Sequence, residues 1–225
     1  MKAKTLFAMT AIGAMALGMV AAAPSMDPKE KTPAPAPTAE PKKVDGAAVG
    51  SAAPDFTLTD TDGKTVKFSE IAKDKIVVIE WFNPECPFVK KHHEKNPTFA
   101  NLFKEFSPKG VVFLAINSGA PGKEGAGKEI SAKFKKDWKI EYPVLIDESG
   151  DVGRAYGAKV TPHMFIVGKD GKVAYNGAID NDRSAAKPGD VNYVRKALNE
   201  ILTGSSVTEA SNAPYGCSVK YGAKK

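Results

Sequence analysis

The feature that most constrains the fold of this chain is a nearly continuous apolar run that ends in a proline-flanked cysteine. Residues 76–82 read Ile-Val-Val-Ile-Glu-Trp-Phe, and residues 83–87 read Asn-Pro-Glu-Cys-Pro. Such a run is typical of a strand that is covered on both faces of a sheet. Helical spacing of apolar residues follows from about Phe88 to Phe106. Because proline suits the first position of a helix, the pattern predicts that Cys86 lies where a buried strand gives way to a helix.

The rest of the chain alternates between strand and helix patterns. Apolar and polar residues alternate on both sides of residues 60–63 and 169–171, which predicts two hairpins. The other predicted elements are strands at 111–116 and 142–146 and helices at 129–138 and 190–202. Strands separated by helices predict an α/β domain with a central mixed β-sheet flanked by helices.

The N-terminal region has the pattern of a secretory signal peptide. Lys2 and Lys4 precede an apolar, uncharged run that ends in small residues near Ala23. We therefore expect residues 1–23 to be a signal peptide and the protein to be exported to the periplasm or cell envelope of a bacterium. An uncleaved membrane anchor is the alternative. No later stretch is long and apolar enough to span a membrane, so no stable insertion is expected after cleavage.

Composition divides the rest of the chain into three segments. Residues 24–48 are rich in Pro, Ala and Lys and are expected to form an extended linker. Residues 49–203 are expected to form the domain, and residues 204–225 a flexible C-terminal tail. The net charge of +6 comes from lysines scattered among acidic residues, which indicates a solvated surface and no nucleic-acid partner.

The chain has two cysteines, Cys86 and Cys217. An exported protein permits disulfides, so the two form either one bridge or two separate thiols. At the start of a helix, free backbone N–H groups and the helix dipole favour the thiolate of Cys86, which makes it a candidate nucleophile. A charged Glu80 in an apolar strand would be costly. Its pKa should therefore rise into a range that suits proton transfer.

The segment Cys86-Pro87-Phe88-Val89 resembles the active-site motif of the thioredoxin superfamily. It is most similar to the redoxin group, which includes the alkyl hydroperoxide reductase and thiol-specific antioxidant (AhpC/TSA) proteins. Residues 157–167 resemble the cis-proline loop of that superfamily and the strand after it. The resemblance covers residues 50–203 and implies a thioredoxin-like fold. It also implies that Glu80 is a buried proton relay and that Pro162 is a cis proline that turns the Thr161 backbone toward Cys86.

Val89 stands where the superfamily has its second active-site cysteine. A product formed on Cys86 must therefore be resolved by Cys217 or by an external thiol reductant. The resemblance implies protein thiols, protein disulfides or a peroxide as substrates, and no cofactor or metal is expected. We expect the substrate-binding surface to include these four residues: Trp81, Asn83, Pro87 and Thr161.

The chain departs from true peroxiredoxins, which resemble it in fold. They carry Thr or Ser three residues before the reactive cysteine and Pro four residues before that. Here those places hold Asn83 and Ile79, and Pro162 stands about where their active-site Arg would fall. These departures weigh against efficient peroxidase action.

Two other classes of protein remain open from the sequence. Cys86 together with His92, His93 and His163 could form a copper or zinc site, because thiolate and imidazole suit these metals. Adjacent histidines on a helix point about 100° apart, however, and His92 and His93 are expected to be exposed. The second alternative is a non-catalytic adaptor that holds a partner strand without reacting at Cys86.

Overall fold

The computed structural model describes residues 46–223. Its strands are β1 (Thr57–Asp60), β2 (Thr65–Lys67), β3 (Ile76–Trp81), β4 (Val111–Asn117), β5 (Val144–Ile146), β6 (Val160–Thr161), β7 (His163–Val167), β8 (Val173–Gly177) and β9 (Cys217–Ser218). Its helices are α1 (Phe68–Ile71), α2 (Pro87–His93), α3 (Thr98–Phe106), α4 (Lys128–Asp137), α5 (Asp151–Tyr156) and α6 (Tyr193–Leu202). Both predicted hairpins are confirmed, as β1–β2 and β7–β8.

Seven strands form one mixed sheet in the order β2-β1-β5-β4-β3-β7-β8. The central strands β3, β4 and β5 run parallel, while β7 and β1 pair antiparallel with β3 and β5. The predicted α/β fold with a mixed central sheet is thereby confirmed. A separate two-stranded sheet joins β6 to β9.

Strand β3 separates two hydrophobic cores, one on each face of the sheet. Every residue of this strand is buried. Val78 packs into the core that also contains Cys86, whereas Val77, Ile79 and Trp81 pack into the core on the opposite face. Because side chains alternate along a strand, Glu80 projects from the same face as Val78.

The helical segment from Phe88 to Phe106 is two helices rather than one. Helix α2 ends at His93 and α3 begins at Thr98. Pro97 has no N–H to continue the helix, and proline disfavours helical backbone in the residue before it. The side chain of that residue, Asn96, donates to the Lys91 carbonyl oxygen at 2.9 Å.

The C-terminal segment differs from the expected flexible tail. Tyr215 is buried, and β9 pairs with β6. Farther along, the Tyr221 hydroxyl donates to the Ala158 carbonyl oxygen at 2.8 Å. The prediction was wrong because Gly- and Ser-rich composition reports local flexibility, while the tail gains backbone pairing and side-chain burial from residues far away in sequence.

At the other end, the packed region begins before residue 49. The backbone N–H of Ala47 donates to the Tyr156 carbonyl oxygen, and its own carbonyl accepts from the Asn176 side chain, both at 3.0 Å. The predicted signal peptide and the predicted linker up to residue 45 lie outside the described residues. Within residues 46–223, no helix has the length and apolar character needed to cross a bilayer.

Candidate active site

Cys86 occupies the N-cap position of α2, as the sequence predicts. Its carbonyl oxygen accepts from the N–H groups of Val89 and Lys90 at 3.0 Å, and Pro87 holds the first helical position. The turn before it is closed by Asn83, whose side-chain oxygen accepts from the Glu85 N–H at 2.9 Å. The Asn83 side chain thus satisfies a backbone N–H of the turn, and the cysteine follows at the helix start.

The Cys86 thiol faces the loop that precedes β7. The Thr161–Pro162 peptide bond is cis, as predicted. The Cys86 sulfur donates to the Thr161 carbonyl oxygen at 3.0 Å, across 75 residues of sequence. The tertiary structure brings the two segments together because Trp81, at the end of β3, pairs with His163 at the start of β7.

Cys217 reaches the same loop from the C-terminal segment. It lies opposite Thr161 in the β6–β9 pair, and the Thr161 hydroxyl donates to the Cys217 carbonyl oxygen at 3.4 Å. Both cysteines are free thiols. Burial raises the pKa of the Cys217 thiol to about 12, and the hydrogen bond and charge of Cys86 act in the same direction. Cys217 therefore keeps its proton beside the sulfur of Cys86.

Glu80 is buried on the same face of the sheet as Cys86 and is paired with His93. The His93 Nε2 lies 3.0 and 3.1 Å from the two carboxylate oxygens. Burial raises the pKa of Glu80, as predicted, and the interaction with His93 partly offsets the rise. The imidazole itself is stacked between Phe99 and Trp138, with ring centroids 4.5 and 5.2 Å away. The stacking fixes the ring plane, so the nitrogen that meets Glu80 is held in place.

The four expected substrate-binding residues have different positions. Thr161 is in the site, and Pro87 is exposed at the start of α2. Asn83 is buried and fastens the turn, with its amide donating to the Glu124 carbonyl oxygen at 3.1 Å. Trp81 packs on the opposite face of the sheet from Cys86, fully buried, and its indole N–H donates to the Ser118 hydroxyl at 3.1 Å. The assignment of Trp81 was wrong because a strand alternates its faces.

A buried polar cluster beside the site was missed by sequence reasoning. Lys91, His92, Asp180 and Tyr215 form it, and each has at most 4% of its surface exposed. The expectation that His92 and His93 are exposed was also wrong, since the side chain of His93 is only 3% exposed. Helical spacing carried the signal, because residues three and four after the buried Val89 lie on its face of the helix.

The histidines of α2 are engaged in hydrogen bonds rather than arranged around a metal. His92 bonds to Thr98 and Tyr215, His93 to Glu80, and His163 to Asn176 at 2.8 Å. In the part of the chain that the structure describes, no group of three or more His, Cys, Asp or Glu side chains is arranged to hold a metal ion. The described geometry thus gives the copper or zinc alternative no ligand set.

The strand order and the surroundings of Cys86 identify the class to which this protein belongs. A cysteine at a helix start that faces the carbonyl before a cis proline, on a mixed sheet of this order, is a thioredoxin-like arrangement. Residues 49–176 match the AhpC/TSA family. Because this match spans more than half of the chain, the protein belongs to that family.

Sequence relatives carry the name of thiol-disulfide oxidoreductase. The thiol-disulfide oxidoreductase ResA of Bacillus subtilis (strain 168) is 33% identical to this chain over 124 residues, which cover 55% of this chain and 64% of that protein. ResA of Bacillus thuringiensis subsp. konkukian (strain 97-27) is 29% identical over 132 residues, covering 58% of this chain and 70% of that protein. The match to the Bacillus subtilis protein thus spans less than two thirds of its length.

Solved structures show the same fold. An uncharacterized conserved protein from Geobacillus kaustophilus superposes with a TM-score of 0.72 and 32% identity, covering 79% of this chain and 94% of that chain. A putative thiol:disulfide interchange protein DsbE from Chlorobium tepidum gives a TM-score of 0.54 and 23% identity, covering 71% and 98% of the two chains. The second likeness concerns the fold alone.

Proposed function

We propose that this protein is an exported thiol-disulfide oxidoreductase in which Cys86 is the nucleophile and Cys217 resolves the product. The observation that carries the proposal is that the Cys86 thiol donates to the Thr161 carbonyl oxygen while Cys217 lies opposite Thr161 in the β6–β9 pair. The thiol-disulfide oxidoreductase relatives support the same reaction class.

The reaction begins when the Cys86 thiolate attacks one sulfur of a substrate disulfide. The Cys86–substrate bond forms, the substrate S–S bond breaks, and the released thiolate takes a proton. Cys217 then loses its proton and attacks the Cys86 sulfur, which gives a Cys86–Cys217 disulfide and releases the second substrate thiol. The substrate gains two electrons and the protein loses two. An external thiol reductant restores the dithiol, and the reverse sequence oxidises a substrate dithiol.

Glu80 is proposed to exchange protons during these steps. It projects from β3 on the face that carries Cys86, and burial raises its pKa above the ordinary value of a glutamate, which favours the protonated form that can give a proton. Because His93 is the hydrogen-bond partner of Glu80, it is proposed to hold the carboxylate in position.

The test is mass spectrometry of the reduced protein with free thiols alkylated, before and after addition of oxidised glutathione or hydrogen peroxide. We expect a Cys86–Cys217 disulfide in the wild type. Cys217→Ser should stall as a glutathione adduct on Cys86, and Cys86→Ser should remain unmodified by either oxidant. If the Cys86–Cys217 disulfide forms with oxidised glutathione but not with hydrogen peroxide, the protein performs disulfide exchange and not peroxide reduction. A Cys86 that resists both oxidants and the alkylating agent would contradict the proposal and favour an adaptor.

A further inference from the structure

Strand β9 completes the edge of the two-residue strand β6. Val160 pairs with Ser218 and Thr161 with Cys217, and the Val219 N–H extends the pairing to the Lys159 carbonyl oxygen at 3.1 Å. A free strand edge presents unpaired N–H and C=O groups that can accept another extended chain. Here the protein's own C-terminal segment takes that place, directly beside the nucleophile.

The approach of this segment depends on Gly216. Its φ is +141°, and a Cβ added there would clash with the Thr161 carbonyl oxygen, the atom that accepts the Cys86 thiol. Any L-amino acid with a side chain would therefore have to move the segment away from the cis-proline loop. The glycine allows the backbone to lie close against the cis-proline loop.

Tyr215 anchors the segment one residue earlier. Its hydroxyl donates to the Asp180 carboxylate, accepts from the Lys91 ammonium at 3.0 Å and lies 3.1 Å from Nε2 of His92. The Lys91 nitrogen also lies 3.5 Å from the Asp180 carboxylate. The phenol is thus the link between a buried cation and a buried anion, and its hydrogen bonds to charged groups are stronger than neutral ones.

This anchor ties the C-terminal segment to the helix that follows Cys86, because Lys91 and His92 belong to α2. While the segment is docked, Cys86 is only 2% exposed. An incoming polypeptide that seeks the β6 edge would meet β9 already paired there. A docked segment therefore favours attack of Cys217 on a mixed disulfide at Cys86 over reaction of the Cys86 thiolate with a protein substrate.

We infer that residues 215–218 are a built-in occupant of the substrate-binding edge, with Tyr215 as the positioning residue that holds Cys217 beside Cys86. The inference rests on the function proposed above. A protein disulfide reaches Cys86 only after Tyr215 leaves its anchor, whereas resolution by Cys217 needs Tyr215 back in place. Undocking of the segment thus precedes attack of Cys86 on a protein disulfide, and docking precedes resolution by Cys217.

The test uses the reduced full-length chain and two variants that undock the segment by different means. Tyr215→Phe keeps the ring but removes the hydroxyl, and Gly216→Ala keeps the anchor but blocks the close approach. Three rates are measured: alkylation of Cys86 by iodoacetamide, formation of the mixed disulfide between Cys86 and insulin, and closure of the Cys86–Cys217 disulfide after oxidised glutathione. In both variants we expect the first two rates to rise about tenfold and the third to fall by a similar factor.

Tyr156→Phe is the matched control, since it also removes a buried tyrosine hydroxyl, which donates to the Pro54 carbonyl oxygen at 2.9 Å. It should leave all three rates unchanged. Folding of each variant is checked by near-UV circular dichroism, and either undocking variant suffices if the other fails to fold. A folded variant with wild-type alkylation and closure rates, or with faster closure, would overturn the inference. If Cys86 is unreactive in every protein, the proposed function itself fails.

Discussion

The sulfur of Cys86 has surroundings that a thiol in an inert protein core would lack. It points at the Thr161 carbonyl oxygen, and the Cys217 thiol lies next to it. An acid, Glu80, is buried on the same face of the sheet. Two thiols and a buried carboxyl group thus lie on one face of the sheet, and this is the set of groups that the proposed disulfide exchange uses.

At the level of single residues, the raised pKa of Glu80 leads to a prediction about pH. Glu80→Gln cannot exchange a proton, so we expect the rate of Cys86–Cys217 disulfide formation to fall about tenfold or more. The change of this rate with pH that is due to ionisation of Glu80 should also disappear. Stopped-flow measurements of closure between pH 5 and 9 check this. An unchanged profile would remove Glu80 from the mechanism.

The matched variant is His93→Phe, which keeps a ring between Phe99 and Trp138 but removes the partner of the carboxylate. His93 lowers the pKa of Glu80, so in this variant the change of the closure rate that is due to ionisation of Glu80 should move to higher pH. The raised pKa of Glu80 also makes the stability of the fold depend on pH. The contribution of Glu80 to the free energy of unfolding is fully present below the ordinary pKa of glutamate. It is lost as pH rises through the pKa of Glu80 in the folded protein, because the buried carboxyl then ionises.

Among the structural elements, the turn between β3 and α2 decides where Cys86 lies. Asn83 fastens this turn both to Glu85 and to the loop at Glu124. A Cβ added at Gly125 would clash with the Asn83 side chain, which shows how closely the two loops approach. The role of Asn83 in the structure is thus to hold the turn, in contrast to the substrate contact expected from the sequence.

We predict that Asn83→Ala lowers the free energy of unfolding by about 1–3 kcal/mol, because it leaves buried polar groups without partners. Because the turn that carries Cys86 is loosened for every reaction, the reactions with glutathione disulfide and with insulin should slow by similar factors. Chemical denaturation and the two exchange assays measure these effects. A rise in KM confined to one substrate would instead assign Asn83 to substrate binding.

Across the molecule as a whole, the buried cluster around Tyr215 joins α2 to the C-terminal segment and should make stability depend on pH. Burial, opposed by Asp180 and reinforced by Lys91, lowers the pKa of His92 from 6.5 to about 3. The folded protein therefore keeps His92 neutral where the unfolded chain binds a proton. Stability is full above pH 6.5 and falls as pH drops toward 3.

The slope for one such group is about 1.4 kcal/mol per pH unit. Urea unfolding measures the free energy of unfolding at pH 7 and at pH 5. Between these two values, the free energy of unfolding of His92→Gln should fall by about 2 kcal/mol less than that of the wild type. His163, with a pKa lowered to about 4 by burial, adds a parallel loss that the His92 variant retains. Equal losses in wild type and variant would show that His92 is not held neutral by the fold.

The local features of this protein follow from short-range patterns in its sequence. The apolar run of β3, the proline after Cys86 and the alternating hairpins specified strands, a helix start and the α/β class, because these depend on neighbours within a few residues. The resemblance around Pro162 led to the cis bond and to the approach of the Thr161 backbone to Cys86. Glu80 could be recognised because a carboxylate is costly to bury in an apolar strand and so stands out from its neighbours.

The meeting of the two thiols, in contrast, depends on tertiary contacts. Composition predicted a flexible tail, yet Gly216 lets the tail lie against Thr161 and Tyr215 fills a place between Lys91 and Asp180. The contacts of the Tyr215 hydroxyl join residues 35 and 124 positions apart, and neither periodicity nor spacing reports them. The position of Cys217 follows from long-range backbone pairing and from the burial of charges that stabilise one another only when the chain is folded.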